Sequence, residues 1–384
     1  MTQSFHIVIE DDVFTRVLDV VLNPQCTTER KNAFADFFAH DMPEFLEWAK
    51  SQKNKTTHLK NCTVTFVHSQ EELSEQLPKA HAVVLESLQL EKSDIEKAPH
   101  LIAVQKYGFI TKNINIDACE ARNIKVLRVR RRANIACAEQ AMMMILALAK
   151  RLSEVNKLTS TQLLLKGGFH PKPFDRAHTP SSNWARIPDI QTLYGKNIGI
   201  IGMGEIGQEI AKRALSFEMN ILYTQRNQLD QKSEVQLGAT YLSLNDLLAQ
   251  SDWVIAQLPA TPQTNHLLNS SNLIHLKRGA SIINVSRAQC MERQAVLDLL
   301  KSGHLGGFAL DTLWQEPGAD DDEFLTYPNV ILTPHLAGSS RWNAISDFEE
   351  MVQKLDLALS SQYMPLVNSA LKKLLCSLSR LFAF

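Results

Sequence analysis

The chain has 384 residues, with 40 basic and 41 acidic side chains and a formal net charge of −1. This length is sufficient for two domains of ordinary size, each with its own core. The balanced charge argues against partners that attract strongly basic proteins, namely nucleic acid and anionic membranes. The six cysteines show no metal-ligand spacing, which favours free thiols in a reducing compartment.

The N-terminus and the apolar stretches predict neither secretion nor membrane insertion. The first residues, MTQSFHIVIEDD, lack a basic segment followed by a long apolar one. No apolar run reaches the roughly 18 residues of a membrane-spanning helix. We therefore expect a cytoplasmic protein without a membrane or nucleic-acid partner.

Strand and helix patterns alternate through the first half of the chain, which is typical of a parallel sheet covered by helices. Strands are predicted over residues 4–10, 63–68, 82–85, 101–105 and 124–129, with a charged helical stretch at 11–60. Five aromatic residues near one helical stripe of that stretch indicate core packing: Phe34, Phe37, Phe38, Phe45 and Trp48. A long apolar helix is predicted over 136–152.

A glycine-rich turn follows a short apolar strand at 198–201. Gly202, Gly204 and Gly207 have the G-x-G-x-x-G spacing, and a helical pattern and a strand at 220–224 come next. In dinucleotide sites the first glycine makes the tight turn, and the second lets the backbone approach the pyrophosphate. The third lets the helix pack on the strand. Because the flanking elements supply the context that the motif requires, we predict nucleotide binding rather than a structural turn.

Three charged residues follow later strands of the same alternation, which are predicted at 253–257, 280–284, 307–311 and 330–333. Ligands bind outside the carboxyl ends of parallel strands, so Arg287, Glu316 and His335 could converge beside a bound nicotinamide. The planar fork of Arg287 matches a carboxylate, so it can hold a 2-oxo acid and polarise its carbonyl. Histidine titrates near neutrality, which suits His335 to proton delivery, and Glu316 would orient the imidazole.

These motifs resemble the D-isomer-specific 2-hydroxyacid dehydrogenase family, which includes glyoxylate/hydroxypyruvate reductases and phosphoglycerate dehydrogenases. The resemblance covers about residues 80 to 345 and rests on GKNIGIIGMGEIG, INVSRAQCMERQAVLDLLKSGHLGGFALDTLWQEP and NVILTPHLAG. It implies an oxidoreductase that transfers a hydride between NAD(P)H and a small 2-oxo acid to give the 2-hydroxy acid. Arg287 would orient the substrate, Glu316 would be the partner of the histidine, and His335 the acid/base.

The resemblance also implies the fold class, which is α/β with two doubly wound parallel-sheet domains. A Rossmann NAD(P)-binding domain at 133–336 would be inserted into a flavodoxin-like substrate domain made of 1–132 and 337–384. The helix at 136–152 would lie at the domain junction, often part of a dimer interface, and we expect a homodimer.

Site residues are implied in the same way. Asp311 would hold the carboxamide of the nicotinamide, and Arg287 would share the substrate with a loop formed by Gly108, Phe109 and Ile110. The implied cofactor-binding residues are Gly202, Gly204, Glu205, Ile206, Gly207, Gln225, Arg226, Pro259, Thr264, Val285, Ser286, Asp311 and Gly338.

The strand after the glycine helix departs from the family pattern at the cofactor. Its last position usually carries an acidic residue for the ribose 2′-hydroxyl of NAD, whereas this chain has Gln225 followed by Arg226. The missing carboxylate removes repulsion against a 2′-phosphate, and Arg226 could pair with that group. We therefore expect NADP(H) to be favoured over NAD(H). Alternatively, Gln225 bonds the ribose and Arg226 faces solvent.

The expected substrate region departs as well. Ile110 stands where a second glycine is usual, so a left-handed backbone is unfavourable there, and Lys112 replaces an acid or amide. Four arginines between 128 and 132 are either solvated charge or a cluster in which one or two members select an anionic substrate.

The altered loop also leaves a rival hypothesis, a non-catalytic dinucleotide sensor or co-repressor on the same fold. An apolar stripe beginning at Leu371 predicts a C-terminal helix docked on the protein body or a partner subunit.

Overall fold

A computed structural model describes residues 4–338 and 340–360. The chain divides into two compact units, and the second is inserted between two segments of the first. Unit 1 comprises the described part of 1–132 and 340–384, and unit 2 comprises that of 133–339. The chain passes from unit 1 to unit 2 after Arg132 and returns to unit 1 at Ser340.

The first segment of unit 1 alternates five strands with six helices. Its strands are β1 (His6–Glu10), β2 (Thr63–Val67), β3 (Ala82–Leu85), β4 (Ala103–Lys106) and β5 (Lys125–Arg128). Its helices are α1 (Val17–Leu22), α2 (Thr28–Phe38), α3 (Phe45–Lys55), α4 (Gln70–Gln76), α5 (Lys92–Glu96) and α6 (Ile116–Ala121). The strands form one parallel sheet in the order β2-β1-β3-β4-β5.

Unit 2 follows, with seven strands and eight helices. The helices are α7 (Arg132–Ala149), α8 (Leu152–Val155), α9 (Thr161–Lys166), α10 (Glu205–Ser216), α11 (Gln231–Leu237), α12 (Leu244–Gln250), α13 (Ser270–Leu273) and α14 (Arg293–Lys301). The strands are β6 (Asn197–Ile201), β7 (Asn220–Thr224), β8 (Ala239–Tyr241), β9 (Trp253–Ala256), β10 (Ser281–Asn284), β11 (Gly307–Leu310) and β12 (Val330–Leu332). They form a second parallel sheet in the order β12-β11-β10-β9-β6-β7-β8. The final helix, α15 (Arg341–Leu359), returns to unit 1.

Both sheets confirm the predicted fold class. The order 2-1-3-4-5 of unit 1 is that of flavodoxin, and in unit 2 the strands run outward on both sides from β6, as in a Rossmann sheet. Strands of such sheets are buried on both faces, and their apolar runs are correspondingly continuous. Thus β3, β9, β10 and β11 are buried at every position.

Each unit has its own core on both faces of its sheet. In unit 1, α15 contributes Ile345, Phe348 and Met351 to the cluster on one face, while β3 and β4 supply Val83 and Val104 to the opposite cluster. In unit 2, α7 and α10 cover one face, and α12 and α14 cover the other. Because helices cover both faces of each sheet, polar side chains are carried by the loops at the carboxyl ends of the strands.

Several predictions about individual segments need correction. Phe38 and Phe45 are buried as expected, but Phe37 is 45% exposed and lies under the guanidinium of Arg341, 3.6 Å from its ring centre. The long helix ends at Ala149 rather than at 152, because Arg151 adopts a left-handed conformation with φ 51°. The short strand β8 was not predicted, since its three residues carry no apolar run.

No helix within the described residues is long and apolar enough to cross a membrane. The predicted C-terminal helix from Leu371 lies outside the described residues.

Candidate active site

The turn between β6 and α10 requires glycine at two positions. Gly202 has φ +103°, and a Cβ there would lie 2.1 Å from the carbonyl oxygen of Gln257. A Cβ on Gly207 would lie 2.2 Å from the carbonyl oxygen of Gly202. Since these contacts are with backbone atoms, a side chain would force the turn away from β9 or the helix away from the turn.

The middle glycine faces open space instead. Nothing lies within 4 Å of a Cβ built on Gly204, which is the N-cap residue of α10, and no side chain caps this helix. An approachable helix N-terminus attracts anions through its N–H groups and dipole. The turn therefore fits the pyrophosphate of a dinucleotide. Asn134, which the sequence patterns did not single out, donates to the Glu205 carboxylate in the first turn at 2.8 Å.

At the end of β7, Gln225 is turned toward the glycine loop. Its Oε1 accepts from the main-chain N–H of Met203 at 3.2 Å, and its Nε2 donates to the carbonyl of Asn227 at 2.7 Å. Arg226 is exposed. Both polar atoms of the Gln225 side chain are thus hydrogen-bonded to neighbouring main-chain groups, and Arg226 carries the exposed positive charge at this strand end.

The loop after β9 is held by its own hydroxyl groups. Thr264 Oγ1 donates to the carbonyl of Pro259 at 2.6 Å and accepts from the N–H of Thr261 at 2.9 Å. These bonds close a compact turn in which Pro259 remains exposed. A pre-formed surface of this kind loses little conformational entropy when a ligand lies along it.

The hydroxyl and N–H groups of Ser286 are bonded within the protein. The residue is buried, and its hydroxyl donates to the carbonyl of Ala256 at 3.0 Å and accepts from the N–H of Leu258 at 3.2 Å. Its own N–H is bound by Asn284 Oδ1 at 2.8 Å. These polar groups therefore connect β9 to β10, and contact of Ser286 with the cofactor stays a prediction. The preceding residue, Val285, is 4% exposed and packs in the core.

Three of the predicted residues come together in unit 2. His335 Nδ1 lies 3.0 Å from Glu316 Oε2, and Glu316 Oε1 accepts from the N–H of Leu313 at 3.0 Å. Both side chains are close to half exposed. Burial raises the pKa of Glu316, but the hydrogen bonds from His335 and Leu313 and the charges of His335 and Arg287 outweigh it, so the net pKa is lowered.

The other face of His335 is available. Its Nε2 makes no hydrogen bond with any residue that the structure describes, so this nitrogen can exchange a proton with a ligand. Arg287 is exposed, and its Nη1 donates to the carbonyl of Ser286 at 2.7 Å. The guanidinium has further N–H groups that can bind an anion. Asn284 Nδ2 fixes the main chain of Arg287 through a bond of 2.9 Å to its carbonyl oxygen.

Asp311 is bonded to the turn that carries His335. Its side chain is fully buried, and its carboxylate accepts from the N–H groups of Leu336 and Ala337, both at 2.8 Å, and from the hydroxyl of Thr333. Its carbonyl accepts from the N–H of His335 at 2.8 Å. The carboxylate thus fastens the turn on which His335 has φ 56°, and the expected contact of Asp311 with a nicotinamide carboxamide stays a prediction. Gly338 ends this turn, where an added Cβ would meet Cys137 at 3.7 Å.

The predicted substrate loop lies in unit 1, directly after β4. Gly108 has a positive φ of 145°, whereas Ile110 does not adopt a positive φ, as its branched side chain leads one to expect. Phe109 is 56% exposed, and the guanidinium of Arg128 lies 5.7 Å from its ring centre. Lys112, in the same loop, is exposed.

The arginine cluster that follows is not simply solvated. Arg132 pairs with the buried Asp347 at 2.7 Å and with Glu350 at 3.0 Å. Arg131 is 13% exposed and contacts Phe14 and Tyr107. Their partners are distant in sequence, so no local pattern could have separated these two arginines from a solvated charge run.

Comparison with known proteins identifies a family and similar chains. The family model "D-isomer specific 2-hydroxyacid dehydrogenase, NAD binding domain" matches residues 142–337. A glyoxylate reductase of Pyrococcus horikoshii is 34% identical over 76% of this chain and 84% of its own length. A glyoxylate reductase of Pyrococcus furiosus is 33% identical over 79% of this chain and 87% of its own. The solved structure of the PH0520 protein from Pyrococcus horikoshii shares the fold, with a TM-score of 0.53, 23% identity and coverage of 92% of this chain and 91% of that one.

Proposed function

We propose that this chain reduces a small 2-oxo acid. The chain belongs to the D-isomer specific 2-hydroxyacid dehydrogenase family and is an NAD(P)-dependent 2-hydroxyacid dehydrogenase. The proposal assigns catalysis to Arg287, Glu316 and His335. The observation that carries it is the 3.0 Å contact between His335 and Glu316, with the charge of Arg287 close enough to lower the pKa of that glutamate.

When bound, the nicotinamide supplies the hydride. Arg287 binds the substrate carboxylate through its planar fork and polarises the adjacent carbonyl. His335 donates a proton from Nε2 to the carbonyl oxygen that becomes the hydroxyl. Glu316 accepts a hydrogen bond from Nδ1 and is itself oriented by the N–H of Leu313, so the imidazole keeps one tautomer and one direction.

Unit 2 would hold the dinucleotide, and unit 1 would supply the substrate loop. Gly202, Gly204 and Gly207, with the backbone of Glu205 and Ile206, would hold the pyrophosphate. Support comes from the open space at Gly204 and the uncapped α10. Pro259 and Thr264 would contact the bound cofactor. In unit 1, Gly108, Phe109 and Ile110 contact the substrate.

NADP(H) is the favoured cofactor in this proposal. A carboxylate is absent at the end of β7, the amide of Gln225 is engaged by Met203 and Asn227, and Arg226 is exposed for a 2′-phosphate. The test compares kcat/KM for NADPH and NADH in the wild-type enzyme and in an Arg226→Gln variant. The wild type should favour NADPH and the variant should lose that preference, whereas a wild type that favours NADH contradicts the assignment.

The catalytic roles are tested with a panel of 2-oxo acids that begins with glyoxylate. Wild-type enzyme should oxidise NADPH with at least one acid, and His335→Gln should lose most turnover while its cofactor affinity, followed by NADPH fluorescence, is unchanged. Turnover retained in His335→Gln would refute the proton-transfer role. Tight cofactor binding without turnover of any acid would favour the sensor hypothesis instead.

A homodimer is part of the proposal. Met143 on α7, Leu152 on α8 and Phe217 just after α10 are each 40–52% exposed and line one apolar groove of unit 2 with Met142 and Leu146. A second copy of the chain would cover this groove. Met143→Glu should give a monomer by light scattering, with Glu139→Gln at the groove edge as the control, and an unchanged mass would contradict this interface.

A further inference from the structure

One glutamine of α7 reaches the turn that carries His335. Most of the helix is apolar and packs on the sheet of unit 2, with Met144 and Ile145 in the core. Gln140 lies at the border of this packed face and is half-buried. Its Nε2 donates to Thr333 Oγ1 at 3.3 Å. A side chain of the helix is therefore joined to the residue two positions before His335.

The chemistry of Asp311 fixes the direction of these bonds. A carboxylate only accepts hydrogen bonds, so the single proton of the Thr333 hydroxyl goes to Asp311 Oδ1. The Thr333 oxygen is then an acceptor for the amide N–H of Gln140. The opposite orientation of the amide would place Oε1 of Gln140 against the Thr333 oxygen with no proton between them. Gln140, Thr333 and Asp311 thus form one directed series of hydrogen bonds.

The series ends on the main chain around His335. Asp311 Oδ1 also accepts from the N–H of Leu336 at 2.8 Å, and the carbonyl of Asp311 accepts from the N–H of His335 at 2.8 Å. The carbonyl of Thr333 accepts from the same N–H of His335 at 2.9 Å. The main chain of His335 is therefore bonded to both Thr333 and Asp311, and Gln140 is the third member of the series.

A second residue of α7 meets the other flank of this turn. Gly338 lies beside Cys137, since a Cβ built on the glycine would be in ordinary van der Waals contact with the Cys137 sulfur at 3.7 Å. Cys137 precedes Gln140 by three residues, so the two lie on one side of the helix. The helix thus meets the turn at Thr333 and at Gly338, and His335 lies between them. The turn requires such support, because φ 56° is unfavourable for a residue with a side chain.

We infer that Gln140 is a positioning residue for the reaction, which holds His335 in place through Thr333 and Asp311. The inference rests on the proposed function, in which His335 donates a proton to the substrate carbonyl. A displacement of about 1 Å at a reacting group is enough to slow a chemical step. Gln140 acts on the rate of that step and not on cofactor affinity, because the series ends on the turn of His335 and not on the glycine turn.

The test replaces Gln140 by Met, which keeps the length of the side chain and removes its N–H groups. The rate of NAD(P)H oxidation is measured in a single turnover with the 2-oxo acid that the wild type reduces fastest, so product release does not hide the chemical step. This rate should fall about threefold to tenfold, the factor for one neutral hydrogen bond. The cofactor affinity, followed by fluorescence, should change less than about twofold. Gln294→Met is the matched control and should keep the wild-type rate, because it removes a 2.8 Å bond to Asp298 within α14.

A double-mutant cycle with Thr333→Val tests the route. Because Gln140 acts through Thr333, Gln140→Met should slow the wild type and have little further effect in Thr333→Val. Equal factors in the two backgrounds would overturn the inference, and so would a wild-type rate in Gln140→Met or a loss confined to cofactor affinity. If Gln140→Met does not fold, as judged by circular dichroism, Gln140→Glu is measured by the same criteria, since its carboxylate cannot donate to Thr333. Wild-type turnover that is insensitive to Gln140 refutes this inference alone, whereas no reduction of any 2-oxo acid by the wild type refutes the proposed function.

Discussion

Replacing Asp311 by Asn tests whether this buried carboxylate positions His335. One oxygen accepts from the N–H of Leu336 and the hydroxyl of Thr333, and the other accepts from the N–H of Ala337 at 2.8 Å. An amide can keep the first oxygen, but its NH₂ group then faces the N–H of Ala337. The variant loses one charge-assisted hydrogen bond and leaves a buried donor unpaired, which costs about 2–4 kcal/mol.

The same change should move the turn that carries His335, since the carbonyl of Asp311 also accepts its N–H. We expect a lower urea midpoint and, for a displacement of about 1 Å at the proton donor, a loss in kcat on the order of a hundredfold. Thr333→Val is the matched control, because it removes one donor to the carboxylate but keeps the charge and both main-chain N–H contacts; it should cost about 1.5–3 kcal/mol in stability and change kcat less. A variant Asp311→Asn with wild-type urea midpoint and turnover would refute the positioning role.

Further predictions concern the cofactor turn, the acid/base pair and the pH dependence of stability. Gly207→Ala places a Cβ about 2.2 Å from the Gly202 carbonyl oxygen, so NADPH affinity by fluorescence titration should fall, and unchanged affinity would contradict the observed turn. Glu316→Gln should lower kcat by roughly tenfold to a hundredfold with less effect on KM, and a change in KM alone would exclude an orienting role. Burial and neighbouring cations lower the pKa of His6 and His81 below the ordinary 6.5, and His81 Nδ1 accepts from the N–H of His6 at 3.1 Å. Protonation therefore favours the unfolded chain, so the urea midpoint should fall as the pH is lowered through about 6.5, and less steeply in His81→Gln.

The fold followed from local patterns, because its signals are periodic and repeated. Short apolar runs separated by helical segments are sufficient to predict parallel sheets covered on both faces. The strands around Gly202 and the helix after it were placed by the glycine spacing together with its flanks. Where no apolar run exists, as in Ala239–Tyr241, strand pairing with β7 decides the structure, and sequence patterns did not predict it.

The order of the strands along the chain predicted which residues share one edge of the sheet, but it did not predict their hydrogen bonds. Arg287, Glu316 and His335 each follow a strand of one parallel sheet, so their common edge could be inferred, and the pairing of Glu316 with His335 agrees with it. The patterns could not show which polar groups are already satisfied. Asp311 follows its strand as the others do, yet its oxygens are bound by Thr333 and the turn beyond it.

Residue types and spacing by themselves determined the parallel-sheet architecture, the dinucleotide turn and the set of charged residues available for chemistry. Only the tertiary structure decided how those charges are used. Arg131 and Arg132 are adjacent in the chain, but Arg132 meets Asp347 and Glu350 while Arg131 lies between Phe14 and Tyr107. The physical reason is that a charge is satisfied or left available by groups distant in sequence, which local periodicity does not record.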